Sequence, residues 1–409
     1  RLNKCVVVPS KTVCGLDTYQ LQRQAKNTGL RWFRVPLKTL ISQMPSSIKV
    51  AQFDDLLLHQ RPMFDVRAPI EFDKGAFPNV VNLPLMNDDE RQQVGTCYKL
   101  KGQEAAMALG QQLVNGETKA KRVEKWQAFA TDHPDAVLFC FRGGLRSQIS
   151  QQWLAEAGIA IPFVEGGYKA LRTHLIERLD DLVDQLPAFV LSGRTGTGKT
   201  EILPQFERTI DLEGIAKHRG SSFGKYIEDQ PSQINFENNL AIALIQLRHT
   251  NLDAVVYEDE SRLVGCRLLP LSLQAKLKNS PIMVLKDDFD ARVERIFGEY
   301  VGKAVNAWEQ ELVDPREAFL AFGDSLLQSL HRIRKRLGSE AHTHLVKLLE
   351  KALEQQSKYD NLLHHKHWIA YLLIHYYDPM YDYQLSLKQD RVVMQGTSSE
   401  LVTWYKTNH

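Results

Sequence analysis

Ala188-Phe189-Val190-Leu191-Ser192-Gly193-Arg194-Thr195-Gly196-Thr197-Gly198-Lys199-Thr200 decides how the chain reads. An apolar run that ends on a small polar residue is a buried strand. The eight residues after it fit G-x-x-x-x-G-K-T, with a helix opening at Lys199 and stopped by Pro204. Glycines let successive backbone N–H groups point at one phosphate, and the helix N-terminus adds a favourable field. Gly193, Thr195, Gly196, Gly198, Lys199 and Thr200 are therefore the candidate phosphate-binding residues. Lys199 would neutralise terminal phosphates, and the Thr200 hydroxyl could hold Mg²⁺. Ala254-Val255-Val256-Tyr257 reads as a second buried strand and Pro281-Ile282-Met283-Val284-Leu285 as a third. The second strand ends in Glu258-Asp259-Glu260, where Glu258 and Asp259 are placed either to organise a metal beside the phosphates or as a solvated charged turn. These elements form an α/β unit over 187–290.

Upstream, 44–178 also has an α/β pattern. Pro62-Met63-Phe64-Asp65-Val66, Val80-Val81-Asn82-Leu83-Pro84 and Ala136-Val137-Leu138-Phe139 read as strands of a parallel sheet. Glu104 to Phe129 has helical periodicity, with Ala106, Leu109, Leu113, Val123 and Trp126 as core positions, and Ser147 to Ala157 follows as another helix. Glu165-Gly166-Gly167-Tyr168 reads as a turn into a helix, and Leu175 to Leu186 is an acidic amphipathic linker ending at Pro187.

The third strand delivers Cys140 at its carboxyl end, where open α/β sheets collect ligands. Cys140-Phe141-Arg142-Gly143-Gly144-Leu145-Arg146-Ser147 is a thiol on a Gly/Arg-rich anion cradle. Backbone amides with Arg142 and Arg146 would hold an anion against the sulfur and favour the thiolate, the form that persulfide or selenide chemistry needs. Cys97, in Gly95-Thr96-Cys97-Tyr98-Lys99, reads as a residue of an exposed loop, either a second chalcogen carrier or an ordinary cysteine. A thiol cradle and a phosphate loop in one chain suggest chalcogen transfer coupled to a phosphorylated or diphosphorylated substrate.

The chain has 409 residues, enough for two or three cores. A net charge of +2 leaves any nucleic-acid surface to local clustering. Such clusters are His331-Arg332-Ile333-Arg334-Lys335-Arg336 and the loop His218-Arg219-Gly220-Ser221-Ser222-Phe223-Gly224, the latter offering Phe223 as a stacking surface. Arg219, Arg332, Arg334, Lys335 and Arg336 are accordingly candidate RNA contacts, with an ordinary loop as the alternative for the first and a solvated helix face for the other four. Tyr376-Tyr377-Asp378-Pro379-Met380-Tyr381 reads either as core or as RNA-stacking, and His364-His365-Lys366-His367 is left without a role because adjacent histidines diverge on a helix. The region 291–409 is mainly helical, with one further strand at Arg391-Val392-Val393-Met394. Five scattered cysteines without a C-x-x-C pair argue against a disulfide framework or zinc site and for a reducing cytoplasm. No apolar run approaches the roughly 18 residues of a membrane span. The stretch 1–43 carries no clear period and reads as an appendage outside the fold.

Asp65-Val66-Arg67-Ala68-Pro69-Ile70-Glu71-Phe72, then Gly75 and Asn82-Leu83-Pro84, resembles the opening of a rhodanese domain, with Cys140 where that family's catalytic cysteine stands. Arg146 lies six positions after Cys140, one more than in the usual sulfurtransferase loop, a spacing that also resembles dual-specificity cysteine phosphatases. The order of a rhodanese-like domain, a P-loop NTPase-like domain and a helical C-terminal region resembles the tRNA 2-selenouridine synthase family. So do Leu83-Pro84-Leu85-Met86-Asn87-Asp88-Asp89-Glu90-Arg91, Val164-Glu165-Gly166-Gly167-Tyr168-Lys169-Ala170-Leu171, Asp211-Leu212-Glu213-Gly214, Glu258-Asp259-Glu260-Ser261-Arg262 and Tyr377-Asp378-Pro379-Met380-Tyr381.

The resemblance implies a cytoplasmic selenotransferase that exchanges sulfur for selenium in wobble 2-thiouridine of tRNA. Selenophosphate would be the selenium donor, and geranyl diphosphate would make an S-geranyl intermediate. Cys140 would carry selenium as an S-selanylcysteine and the phosphate loop would bind the prenyl diphosphate. No tightly bound cofactor and no membrane are implied, and Mg²⁺ is compatible with the loop. Two rival readings are a cysteine-dependent phosphatase using the C-x₅-R loop, and a P-loop kinase carrying an inactive rhodanese module.

Overall fold

The computed structural model describes residues 5–9, 32–36, 47–248 and 254–408. Two compact units divide the chain, Arg1–His174 and Leu175–His409. Of the stretch 1–43, strands β1 (Cys5–Pro9) and β2 (Trp32–Pro36) pair antiparallel, and the rest lies outside the described residues.

The first unit continues with β3 (Ser47–Ile48), α1 (Phe53–Leu58), β4 (Met63–Asp65), α2 (Pro69–Asp73) and β5 (Val81–Asn82). Helices α3 (Asp88–Leu113) and α4 (Gly116–Asp132) follow, then β6 (Val137–Phe139), α5 (Leu145–Glu156), β7 (Phe163–Val164) and α6 (Gly167–Gln185). Its parallel sheet has the order β3-β7-β6-β4-β5. Strands β4 and β6 are buried at every residue, which is why they read as apolar runs rather than as alternation. Phe64, Val66, Trp126, Leu138 and Leu154 form the core beneath them.

Two expectations are corrected here. The segment 95–99 is not a loop but part of α3, whose start is fixed by a capping box: the Asn87 side chain accepts from the Glu90 amide (2.8 Å), and the Glu90 carboxylate accepts from the Asn87 amide (2.9 Å). The helix buries only Ala106, so it carries almost no apolar period to read. Nor is 104–129 one helix. α3 ends at Leu113 and α4 restarts at Gly116, where Asn115 turns its side-chain amide back onto the Gln112 carbonyl (2.7 Å). Of the five expected core positions, Ala106 and Trp126 are buried, whereas Leu109, Leu113 and Val123 are half-buried. α3 also doubles back on itself. Gly102 leaves the helical conformation (φ 83°, ψ −175°), and Val94 Cγ2 comes within 3.8 Å of where a Gly110 Cβ would stand. Along a straight helix those residues would lie about 24 Å apart.

The second unit opens with β8 (Ala188–Gly193), α7 (Lys199–Ile202), β9 (Thr209–Ile210), α8 (Leu212–Ala216), α9 (Gln233–Arg248) and β10 (Val255–Glu258). A short hairpin β11 (Leu263–Val264) and β12 (Arg267–Leu268), α10 (Leu271–Asn279) and β13 (Ile282–Leu285) come next. The helices α11 (Phe289–Phe297), α12 (Lys303–Glu311), α13 (Pro315–Leu337), α14 (Ser339–Tyr359), α15 (His365–Leu372) and α16 (Asp378–Ser386) precede β14 (Val392–Gly396) and α17 (Ser398–Asn408). The sheet order is β14-β13-β8-β10-β9, parallel throughout, so the phosphate-loop sheet takes its edge strand from beyond residue 290. Phe189, Leu191, Met283, Leu401 and Tyr405 pack on one another around this sheet. A second core, around Phe322, Leu345, Leu349 and Trp368, holds the helices together. The α/β class with parallel sheets is thus as expected, in a chain that is mostly helical. Among the described residues no helix is long and apolar enough to cross a membrane.

Candidate active site

In the first unit, β6 ends in the buried core and hands the chain to Cys140, which is 3% exposed. The loop from Cys140 to Gly144 rests on the first turn of α6. The Tyr168 amide donates to the Cys140 carbonyl (2.8 Å) and the Lys169 amide to that of Phe141 (3.0 Å). Two glycines make this approach possible. A Cβ on Gly143 (φ +62°) would stand 2.6 Å from the Val164 carbonyl oxygen, and one on Gly167 (φ +60°) would overlap the Cys140 carbonyl and lie 2.5 Å from the Gly143 nitrogen. Nearby, Asp65 and Arg67 form a buried ion pair (2.6 Å), and the Arg67 guanidinium lies 3.8 Å from the centre of the Tyr168 ring.

Arg146, expected as an anion clamp, is committed to Glu71 through two hydrogen bonds (2.6 and 3.3 Å). Burial alone would raise the Glu71 carboxyl, but Arg146, the Ala68 amide and Arg91 outweigh it and hold Glu71 below its ordinary range. Arg142 is exposed. The Ser147 hydroxyl is buried without a hydrogen-bond partner. A cavity of about 1020 Å³ opens on this loop. Cys140, Arg142, Arg146, Arg91, Lys99 and Lys119 line it together with Met86, Val94, Met107, Val114, Ile149 and Trp153. Cys97, half-buried on α3, does not line it. Glu71 lies within the 65–72 stretch, where nothing local marks it as the partner of Arg146, 75 residues away. The folded-back α3 that supplies the wall gave no signal beyond Gly102.

In the second unit the phosphate loop is formed and held from outside. Gly196 and Gly198 have φ +83° and +81°, and a Cβ on Gly193 would lie 2.7 Å from Thr197 Oγ1 and 2.9 Å from the Leu285 carbonyl. Lys199 Nζ donates to the Gly193 carbonyl (2.8 Å) and the Thr200 hydroxyl to Glu258 (2.9 Å). Buried Arg292 donates to the Thr195 carbonyl (2.9 Å) and pairs with Asp378, and Arg295 donates to the Gly196 carbonyl (2.6 Å). Arg194 pairs with Asp382 (2.7 Å). Asp259 accepts from the Ser192 hydroxyl (2.5 Å) and pairs with Lys388 (2.8 Å), whereas Glu258 alone of the acidic tip meets Thr200. Sequence reading missed this collar from α11, α16 and Lys388, which no local pattern announces.

Glu213, Glu258 and Glu260 crowd together beside Lys199. Burial first, then mutual repulsion, pushes Glu213 and Glu258 up to about 8 and Glu260 to about 7. Carboxyls whose pKa is raised in the fold take up protons on folding. Their contribution therefore falls as pH climbs from the ordinary carboxylate range towards 8. Urea unfolding of the second unit at pH 5.5 to 8.5 is expected to show falling stability across this window, with a shallower slope in Glu260→Gln. An equal slope in the variant would remove the cluster as the cause.

The proposed RNA contacts fare unequally. Arg334, Lys335 and Arg336 are exposed at the end of α13. Arg332 donates to the Ser222 carbonyl (2.8 Å), and Arg219 lies 4.2 Å over the Tyr226 ring and pairs with Glu299 (3.4 Å). Phe223 offers no base-stacking surface. It is 7% exposed and stacks on Trp368, because it fills the helical core. Tyr376 and Tyr377 are core residues as well. His365 is fully buried, accepts from the Trp368 indole (2.9 Å) and is pushed down to about 4 by burial.

The model of the tRNA 2-selenouridine synthase AAA domain matches residues 186–409. The tRNA 2-selenouridine synthase of Shewanella woodyi is 50% identical over 352 residues, covering 86% of this chain and 95% of that protein. Those of Shewanella frigidimarina and Marinobacter nauticus are 48% and 47% identical, covering 88% and 86% of this chain and 98% and 96% of their own lengths. This chain belongs to the tRNA 2-selenouridine synthase family. The tRNA 2-selenouridine synthase relatives cover the Cys140 unit as well as the phosphate-loop unit, whereas the AAA-domain match is confined to the latter.

Proposed function

We propose that the chain replaces sulfur by selenium in wobble 2-thiouridine of tRNA, with selenophosphate as donor, through an S-geranyl intermediate made from geranyl diphosphate. The observation that carries this reading is the pairing in one chain of a buried cysteine facing a cation-lined cavity and a formed phosphate loop. In the first step the thiocarbonyl sulfur attacks C1 of the geranyl group and pyrophosphate leaves. Lys199 and the loop amides would hold the leaving charge. Alkylation turns the sulfur into a thiolate leaving group, which a selenium nucleophile can displace at C2. In this scheme water takes the phosphoryl group of selenophosphate as phosphate, selenium is released at the selenide level, and Cys140 of the first unit is the group that holds it for the displacement. The cations of the cavity suit an anionic donor.

Among the described residues no group of three or more His, Cys, Asp or Glu side chains is arranged to hold a metal. Mg²⁺ would therefore take phosphate oxygens and water besides the Thr200 hydroxyl and Glu258, whose oxygen donors suit it. It would supply charge neutralisation on the diphosphate. A phosphatase reading needs an aspartate as general acid at the cysteine. The cavity's one acidic lining residue is Glu71, already tied to Arg146.

The test is nucleoside mass spectrometry of tRNA incubated with both donors. Wild type is expected to yield 2-selenouridine, Cys140→Ser to stop at S-geranyl-2-thiouridine, and Lys199→Ala to lose at least 10-fold in geranylation. Unmodified tRNA under every condition would overturn the reading.

A further inference from the structure

The cavity in the Cys140 unit is larger and more apolar than an anionic selenium donor needs. Its volume of about 1020 Å³ stands at the top of the range of roughly 300–1,000 Å³ for small-molecule sites. Two of its cations lie at Glu71: Arg146 is bonded to that carboxylate, and Arg91 lies 3.7 Å from it. The rest of the lining mixes Lys99, Lys119 and several glutamines with a block of apolar side chains. Val94 and Met107 sit on the two arms of α3 folded about Gly102, and Val114, Ile149 and Trp153 complete an apolar surface. Met107 remains 38% exposed on that surface. A phosphate-type anion gains nothing from such a wall, whereas a prenyl chain does.

We propose that this cavity seats the geranyl group of the S-geranyl-2-thiouridine intermediate, so that displacement at C2 takes place in the first unit beside Cys140. The inference rests on the two-step reading above and adds the place and the recognition of the second step. In that step the C2–Se bond forms and the C2–S bond breaks. Sulfur departs as geranyl thiolate and takes up a proton. The selenium arrives as selenide, freed from selenophosphate when water takes the phosphoryl group as phosphate, so every oxidation state is unchanged. Binding the prenyl chain holds C2 near the selenium and spends the apolar contact on orientation.

The experiment supplies full-length enzyme and selenophosphate with tRNA carrying either S-geranyl- or S-methyl-2-thiouridine, and reads 2-selenouridine formation. Wild type is expected to prefer the geranyl substrate at least 10-fold in kcat/KM. Met107→Glu, at a position exposed enough to accept a charge without unfolding, is expected to bring that ratio down towards one. Ile149→Ala, which only enlarges the wall, is expected to lower it more modestly. Absence of preference in wild type, or an unchanged ratio in both variants, would overturn the assignment while leaving two-step chemistry intact. Selective loss of prenyl transfer from geranyl diphosphate in Met107→Glu would also overturn it, placing the cavity in the first step. Failure of wild type to convert S-geranyl tRNA, while still selenating 2-thiouridine, would instead sink the two-step reading itself.

Discussion

Gly167→Ala is expected to abolish 2-selenouridine formation, by at least 100-fold, with S-geranyl-2-thiouridine accumulating in its place. The methyl group would overlap the Cys140 carbonyl and press on the Gly143 nitrogen at 2.5 Å. Both are backbone atoms, locked by the Tyr168 and Lys169 amide hydrogen bonds, so no rotamer change relieves the clash. The left-handed conformation adds roughly 1 kcal/mol for any residue with a Cβ. Relief would require the Cys140 loop to lift off α6, which misplaces the sulfur by an ångström or more. Displacements of that size cost about 100-fold where reacting groups must align. Mass spectrometry of the modified nucleoside checks the loss, and thermal unfolding checks that the second unit keeps its transition. Normal selenation in this variant would mean that the loop does not position the reacting sulfur.

Arg292→Ala is the second change with a large expected effect, and it acts on the phosphate loop. Arg292 is 2% exposed and joins the Thr195 carbonyl of the phosphate loop to Asp378 on α16. Removing it leaves the Thr195 carbonyl without this donor and the Asp378 carboxylate with only the longer Arg194 contact (3.6 Å), a loss of about 1.5–3 kcal/mol. The second unit is expected to unfold at a markedly lower temperature, and geranylation of 2-thiouridine should fall about 100-fold. Selenation of tRNA that already carries the S-geranyl group should persist. Arg292→Lys is expected to recover only part of the stability, because an ammonium cannot reproduce the two-pronged bond to Asp378. Equal loss of both reactions in Arg292→Ala would refute the division of labour between the units.

What could be read in the sequence follows the range of the interactions involved. Strands β4, β6, β8, β10 and β13 are buried on both faces, so their apolar runs and polar ends were plain. Cys140 and the phosphate loop were equally plain, because glycine spacing and a preceding strand are local signals. α3 was not, since a helix that buries one residue lacks the stripe that betrays most helices. Phe223 was misread because an aromatic among serines and glycines looks exposed until Trp368, far along the chain, covers it. The same distance hid the partners of Arg146, Arg194 and Asp259, which are 75, 188 and 129 residues away. Side chains so remote in sequence meet only after the fold exists, and no window along the chain contains both.

Strand β14 has a consequence for the order in which the protein is made. It is the edge of the phosphate-loop sheet, and Leu401 and Tyr405 behind it cover Phe189 and Leu191 on the strand that carries the loop. A ribosome adding about 5–20 residues each second needs roughly 10–40 s to pass from the loop to those residues. Through that interval β13 presents an open parallel edge and the apolar face of β8 stays uncovered, while the Cys140 half already has all of its own strands. The thiol-bearing half of the nascent chain is therefore complete before the sheet that carries the phosphate loop is. The chain's aggregation-prone window lies in the second half, and that is where a chaperone would find it.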